Sequence, residues 1–483
     1  MTTASGATPR STTSKEPTTD NRSGRVLALV LAAQFMALLD IFIVNVAAPT
    51  IHSELHTSGA GLQLIVAGYT ITYAVLLITG ARLGDLLGHG RAHLAGLGVF
   101  TVASLACGPA AGAGQLIAFR LVQGAAAAVM IPQVLSLIQR HFTGEARIRA
   151  LGAYSAVLAT GAAAGQVLGG VMVSADLFGA GRRPVFLVNV PIGLLLLVLG
   201  SRVLPREPRT APGRVRARAR GLDLPGLVLL AAAVTLLTVP LVLGQELDWP
   251  VWSRFCMAVS MGLFAGFAAY ESRLAARGGA PLIAPRVLCV PGIVRAALRI
   301  LLVMAINGGF LFCHDAARPG GLGYSPLWAG LMFAPTALVF GVAGLTWRRW
   351  PAGLQGALVP AGFALVAAAS VAVGVLTRGG GDGGPALYAA FAAMGVGLAL
   401  DFSPTLVRAL ADVRPKDAAD ASGVLVTVTQ LGQLAGVAAF GTLYLNRLDT
   451  QGTQRSGHAL RVCALALSVA AVAAAAAGLV RRR

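Results

Sequence analysis

Leu39-Asp40-Ile41-Phe42-Ile43-Val44-Asn45-Val46-Ala47-Ala48-Pro49 closes a run that is apolar from Val26 onward. A run of that length can cross a bilayer, which takes about 20 apolar residues. Yet it carries Asp40. An ionised carboxylate at that depth is costly, so it either takes a proton or finds a cation. A side chain held to that choice is suited to coupling protons to a second process. The rest of the chain reads as machinery arranged around it.

Of the 483 residues, 56% are hydrophobic and 12% charged; a soluble domain carries about 25% charged residues. The chain is therefore expected to be an integral membrane protein. A formal net charge of +19 would suggest nucleic acid in a soluble protein. Here the basic residues fall between apolar runs, which assigns them to topology and to anionic lipid headgroups, with no nucleic-acid partner. Cys107, Cys256, Cys289, Cys313 and Cys463 lie in or beside apolar runs, without metal-ligand spacing or a disulfide framework. Neither a G-x-x-x-x-G-K-[ST] phosphate loop nor a G-x-S-x-G elbow is present, so ATP-driven transport within this chain is not expected. No cofactor or metal is expected either.

Residues 1–24 are polar and Ser/Thr-rich, a disordered tail by composition. The first apolar run is too long for a signal-peptide core and is expected to be an uncleaved span. Fourteen apolar segments follow in order, from 26–48 to 459–480. With the N-terminus inside, 28 of the 38 Lys and Arg fall in inner segments, 8 in outer loops, and Arg120 and Arg299 within spans. That bias places both termini in the cytoplasm. Residues 25–203 then form a six-helix bundle, 204–221 a basic inner loop, 222–271 an inserted helix pair, 272–480 a second six-helix bundle, and 481–483 a basic end. An internal match supports the division. Gly165-Gln166-Val167-Leu168-Gly169 in span five corresponds to Gly432-Gln433-Leu434-Ala435-Gly436 in span thirteen, as in transporters built from repeats.

Arg120 and Gln123 sit three apart in span four and share a face. Arg120 lies roughly 9 Å below the outer end of its span and Asp40 roughly 13 Å below the end of span one, at 1.5 Å per residue. The depths suit a pair, either a static packing bond or, as intramembrane charges usually are, a functional one. In span five Gly161, Gly165 and Gly169 recur every four residues, with Gly170 beside them. They clear a helix face for close backbone approach. Asp401, in Leu400-Asp401-Phe402-Ser403-Pro404, reads either as a second proton or cation site or as a residue near the inner interface. Cys313-His314-Asp315 with Arg318 reads as a solvated outer rim, with a gate as the second reading. Arg299 is expected to snorkel inward.

Several stretches carry a resemblance. Gly80-Ala81-Arg82-Leu83-Gly84-Asp85-Leu86-Leu87-Gly88-His89-Gly90-Arg91 resembles the inner-loop signature G-x-L-a-D-r-x-G-r-r of the major facilitator superfamily. Leu83, Asp85, Gly88 and Arg91 fit; Ala81, Leu86 and Gly90 depart. Span five resembles the antiporter signature G-x-x-x-G-P-x-x-G-G, with Gln166 in place of the proline. Leu39-Asp40 with Val44-Asn45-Val46-Ala47 and Pro49, Phe186-Leu187-Val188-Asn189-Val190-Pro191-Ile192-Gly193, Gly323-Tyr324-Ser325-Pro326 with Ala329-Gly330, and Ala421-Ser422-Gly423 are similar to the fourteen-spanner drug/proton antiporter family. Position 42 holds Phe where that family usually has Thr.

The resemblance implies an all-α major facilitator fold, two six-helix bundles plus two extra helices. It implies export of small lipophilic or cationic molecules in exchange for protons, by alternating access. Asp40 and Arg120 would couple protons, and Asp85, Gly88 and Arg91 would gate the inner face. Asn45, Gln123, Gly161, Gly165, Gln166, Gly169, Gly170 and Asp401 would line the substrate cavity or pack the helices. The expected setting is a monomer in a bacterial cell membrane, in contact with lipid, substrate and protons. Two rivals are a proton symporter for uptake and a non-transporting enzyme or sensor. The second would need a catalytic domain or polar cluster that the sequence does not display.

Overall fold

Apolar runs that cannot hydrogen-bond to lipid satisfy their backbone as helices, and the described chain is helical throughout. The computed structural model describes residues 21–175, 181–204, 223–244, 247, 249–279, 281–282, 285–290, 292–317, 326–377, 384–411, 413–414, 417–445 and 453–479. The tail 1–20, most of the basic loop 204–221 and the end 481–483 lie outside these residues, as do Arg318 and Gly323 to Ser325.

The long helices are α1 (Asn21–Leu55), α2 (Gly59–Leu87), α3 (His89–Cys107), α4 (Ala113–His141), α5 (Gly144–Ser174) and α6 (Asn189–Val203). They continue as α7 (Leu224–Leu243), α8 (Val251–Ala276), α9 (Ile293–Ala317), α10 (Pro326–Thr346), α11 (Leu358–Leu376), α12 (Pro385–Ala411), α13 (Ala418–Leu445) and α14 (Thr453–Leu479). Among the described residues twelve helical stretches are long and apolar enough to cross a membrane. Helices α5 and α10 fall on the other two expected segments and are not among the twelve. Each holds residues whose side chains lie outside the described set, which shortens the apolar stretch described in α5 to Ala164–Val173. The sixth segment is broken: a short helix, Arg183–Leu187, precedes α6. Helix α1 begins at Asn21, inside the expected tail.

Two halves repeat one packing scheme. In α1–α6 the first helix packs on the fifth, the second on the fourth, and the third on the fourth and sixth. In α9–α14 the same pairings recur. The glycine match explains part of the repetition. A Cβ on Gly165 would stand 2.9 Å from the Leu39 carbonyl oxygen of α1, and one on Gly436 would stand 1.9 Å from that of Ala305 in α9. In each half the fifth helix thus lies glycine-first on the backbone of the first, the close approach that small residues permit between membrane helices.

Helices α7 and α8 pack on each other, and α7 leans on α2 and α13. Asp223 caps α7, accepting from the Gly226 amide at 2.9 Å and the Tyr270 hydroxyl at 2.7 Å. Burial pushes its carboxyl upward, but hydrogen bonds with Glu271, Tyr270 and Gly226 outweigh this and hold it below its ordinary value. Exposed apolar side chains such as Val102, Leu195, Val228, Phe255, Leu338 and Val469 suit a surface turned to hydrocarbon.

Candidate functional site

Asp40 and Arg120 are both fully buried, at 0% exposure, and they meet. Arg120 Nη1 donates to Asp40 Oδ2 at 2.5 Å and to Gln123 Oε1 at 2.9 Å. Arg120 Nε donates to the Ile65 carbonyl at 3.2 Å, and its Cζ lies 4.9 Å from the centre of the Tyr69 ring. The other carboxylate oxygen, Asp40 Oδ1, accepts from Gln123 Nε2 at 3.2 Å and Asn189 Nδ2 at 2.7 Å. Gln123 Nε2 also donates to Ser104 Oγ at 2.7 Å. Helices α1, α2, α3, α4 and α6 therefore each send a group to one buried charge cluster. Burying two charges is tolerable only where both partners and further hydrogen bonds compensate them.

Glycines let the helices come close enough to build it. A Cβ on Gly124 would stand 2.2 Å from the Tyr69 carbonyl oxygen, and one on Gly80 would stand 1.9 Å from that of Ala128. Helix α4 therefore rests directly on the backbone of α2, delivering Arg120 to Tyr69. On the other flank of α1, positions for a Cβ on Gly161, Gly165 and Gly169 lie 3.0, 2.7 and 3.0 Å from the Cβ atoms of Leu38, Phe42 and Val46. The stripe expected in span five thus clamps the turn of α1 that carries Asp40. Gly170 is buried beside it. Gln166 is buried within a continuous α5, and its Oε1 has no hydrogen-bond partner among the described residues.

The expected residues divide accordingly. Asp40, Arg120 and Gln123 come together, and Gln123 proves to be a ligand of the carboxylate. Asn45 is exposed and turned away from the cluster: five residues on, it stands roughly 140° around the helix from Asp40 at 3.6 residues per turn. Asp401 is buried in the other half, far along the chain from this cluster. Sequence reasoning missed Asn189, Ser104 and Tyr69. Asn189 stood in a quoted stretch, and an amide in an apolar run was the signal available.

The second expected site lies where α2 turns into α3. Gly88 holds φ +94°, a conformation that favours glycine, and its amide donates to the Gly84 carbonyl to close α2. Asp85 Oδ1 faces His89 Nε2 at 3.5 Å and Arg140 Nη2 at 3.8 Å. His89 Nδ1 lies 2.7 Å from Gln133 Oε1. Arg91 is exposed at the start of α3. At this same end, which carries most of the arginines, the halves are tied together. Arg82 Nη2 lies 3.4 Å from Asp420 Oδ1 of α13 and donates to the Pro281 carbonyl at 2.8 Å and to that of Leu282. Gln139 Nε2 donates to Ser422 Oγ at 2.7 Å, and Arg348 Nη1 to Glu145 Oε2 at 3.1 Å. His314 is buried near the opposite end, its Nδ1 2.8 Å from the Phe310 carbonyl oxygen, so the expectation of a solvated rim does not describe it.

Known proteins bear on this arrangement. The chain is 37% identical over 437 residues to a Streptomyces coelicolor protein named "Probable actinorhodin transporter", covering 89% of this chain and 74% of that one. It is 37% identical over 466 residues to the cephamycin export protein CmcT of Amycolatopsis lactamdurans, covering 94% of this chain and 90% of that one. Its fold matches the human organic anion transporter MFSD10 with a TM-score of 0.66, over 95% of this chain and 99% of that one, at 15% identity. That last likeness concerns the fold alone. Paired six-helix halves, a glycine-clamped first helix and a match to the family's sequence pattern over residues 30–437 agree, and the chain belongs to the Major Facilitator Superfamily.

Proposed function

We propose that this chain exports a small organic molecule, lipophilic or cationic, from a bacterial cell in exchange for entering protons. The carrying observation is the fully buried Asp40–Arg120 pair on the helix clamped by α5. In this conformation Asp40 is compensated as an anion by Arg120, Gln123 and Asn189. A proton arriving on Asp40 leaves Arg120 as a buried cation without its counter-charge. Removing one partner of a buried pair costs about 3–5 kcal/mol, a bias of roughly a hundred- to several-thousand-fold in a two-state equilibrium. Protonation therefore favours a rearranged cluster, and α1 transmits the change to α5 and so to α10 of the other half.

Arginine bias supports placing the face of Arg82, Arg140, Arg348 and Arg408 in the cytoplasm. The ties Arg82–Asp420, Gln139–Ser422 and Arg348–Glu145 close that face here. On this reading α5 and α10 also cross the membrane, giving fourteen spans, both termini are cytoplasmic, and the working unit is a monomer. The relative named for cephamycin export supports the outward direction.

The test is accumulation of ethidium in an efflux-deficient host expressing this chain or Asp40→Asn, with and without a protonophore. Lower accumulation that requires both Asp40 and the gradient is expected. Full gradient-driven efflux by Asp40→Asn would refute the coupling role, and raised accumulation would point to uptake.

A further inference from the structure

Helix α12 buries a second carboxylate, and its surroundings are the reverse of those around Asp40. Asp401 is 1% exposed, and neither of its oxygens has a hydrogen-bond partner among the described residues. The amide of Phe363 faces it without forming a hydrogen bond of ordinary geometry. No cation lies within ion-pair distance among the described residues; Arg299 of α9 acts on it through space. Gly362 of α11 makes room for it: a Cβ there would stand 2.5 Å from Asp401 Oδ1 and 2.8 Å from the Gly397 carbonyl oxygen. Oδ1 and that carbonyl oxygen thus border one small space. An ionised carboxylate and a carbonyl oxygen bordering one small space repel. A protonated Asp401 has a donor to offer the carbonyl. Ser403 Oγ and Thr405 Oγ1, on the following turn, are likewise buried without partners.

The two halves invert a theme. In the first bundle the acid is on the first helix and the arginine on the fourth. In the second, Arg299 is on the first helix, α9, and Asp401 on the fourth, α12. Arg299 stands six residues into α9 and Asp401 ten before the end of α12, roughly 9 and 15 Å from the basic-face ends. Asp40 and Arg120 lie toward the opposite ends of their helices. One pair is closed near one face, and the other stands apart near the other face.

We propose that Asp401 is a second proton carrier, neutral in this conformation, which gives its proton to water at the basic face when Arg299 closes onto it. This rests on the reading of the chain as a proton-driven exporter. The cycle then moves one proton on Asp40 and one on Asp401. Charged or titratable groups on the elements around Asp401 are Arg299 and Arg295 of α9, with His314 and Asp315 at its far end, Arg408 of α12 itself, Glu145, Arg147 and Arg149 at the start of α5, and Asp420 of α13. Helices α10 and α11 contribute no titratable side chain.

Infrared spectra of the purified full chain decide the first half of the proposal. At neutral pH the wild type should show a neutral-carboxyl C=O band that Asp401→Asn removes and Asp40→Asn keeps. A wild type without the band, or a band unaffected by Asp401→Asn, overturns it. Asp401→Asn stays neutral and keeps a donor for the Gly397 carbonyl, so it should keep the wild-type Tm; a large fall would show an ionised group instead. In everted vesicles with ethidium, Asp401→Asn should halve the protons moved per ethidium, and an unchanged ratio overturns the carrier role. Failure of the exporter reading looks different: wild-type vesicles would move no protons with ethidium while the band stayed assigned to Asp401.

Discussion

At the scale of single residues, the Asp40 cluster depends on the shape of its cation as much as on its charge. The Arg120 guanidinium uses Nε for the Ile65 carbonyl and Nη1 for Asp40 and Gln123, with its plane over Tyr69. A lysine ammonium is a point charge that cannot reproduce a planar fork. Arg120→Lys is therefore expected to keep expression but lower gradient-driven efflux tenfold or more, read by the same accumulation assay. Asn189 is a different kind of residue. It gives Asp40 Oδ1 one neutral donor at 2.7 Å. Hydrogen bonds to charged groups contribute about 1.5–3 kcal/mol, so Asn189→Ala should lower the Tm of the purified protein measurably. The pairing of Asp40 with Arg120 was legible in the sequence because two charges at matching depths in apolar runs have few alternatives. Asn189 was not. A neutral amide pays a smaller penalty in an apolar run, so its presence does not demand a partner, and nothing in its spacing points to α1.

At the scale of elements, the glycine stripe of α5 was legible in its period but not in its target. A four-residue repeat says that one helix face is bare. It does not say which helix fills it. The structure supplies α1, and the stripe meets the turn beside Asp40: Gly165 abuts both the Phe42 side chain and the Leu39 carbonyl. Gly165→Ala would place a methyl 2.7 Å from Phe42 Cβ and 2.9 Å from that oxygen, so α1 must shift. Overpacking of this kind typically costs about 1–3 kcal/mol, and here it displaces the helix that carries the coupling acid. Efflux should fall more than membrane expression does. Gly266→Ala is the control, since nothing lies within 4 Å of a Cβ in the middle of α8; it should leave efflux unchanged and slightly favour the helix. The break before α6 was missed for a related reason: the stretch from Phe186 to Ile192 is apolar on both sides of Asn189, and neither that amide nor Pro191 says by itself where the backbone turns.

At the scale of the whole molecule, charge bias distinguished the two faces, but not how one of them is shut. The ties join residues far apart in the chain, where periodicity and motif spacing have no reach. Arg82 belongs to the inner-loop signature, yet its partners are Asp420 of α13 and the backbone carbonyls of Pro281 and Leu282. Both side chains are mostly buried, at 24% and 10% exposure, so solvent weakens the pair less than it would a surface one. If this pair holds the halves together, reversing either charge should open the basic face, and reversing both should restore closure. Gly423 reports on it, because it lines the same small space as Arg82, Asp85 and Asp420 and would bring a Cβ 3.4 Å from that of Ala81. In a background with the exposed Cys289 and half-buried Cys256 changed to serine, Gly423→Cys should react slowly with a membrane-impermeant maleimide added at the basic face. Arg82→Asp or Asp420→Arg alone should speed that reaction, and the double reversal should slow it again. The coupling between the two sites should fall within about 0.5–3 kcal/mol, the range for residues sharing one network. Additive effects of the two reversals would mean that the halves are held by the Gln139–Ser422 and Arg348–Glu145 contacts instead, leaving Arg82 to anchor the segment between α8 and α9.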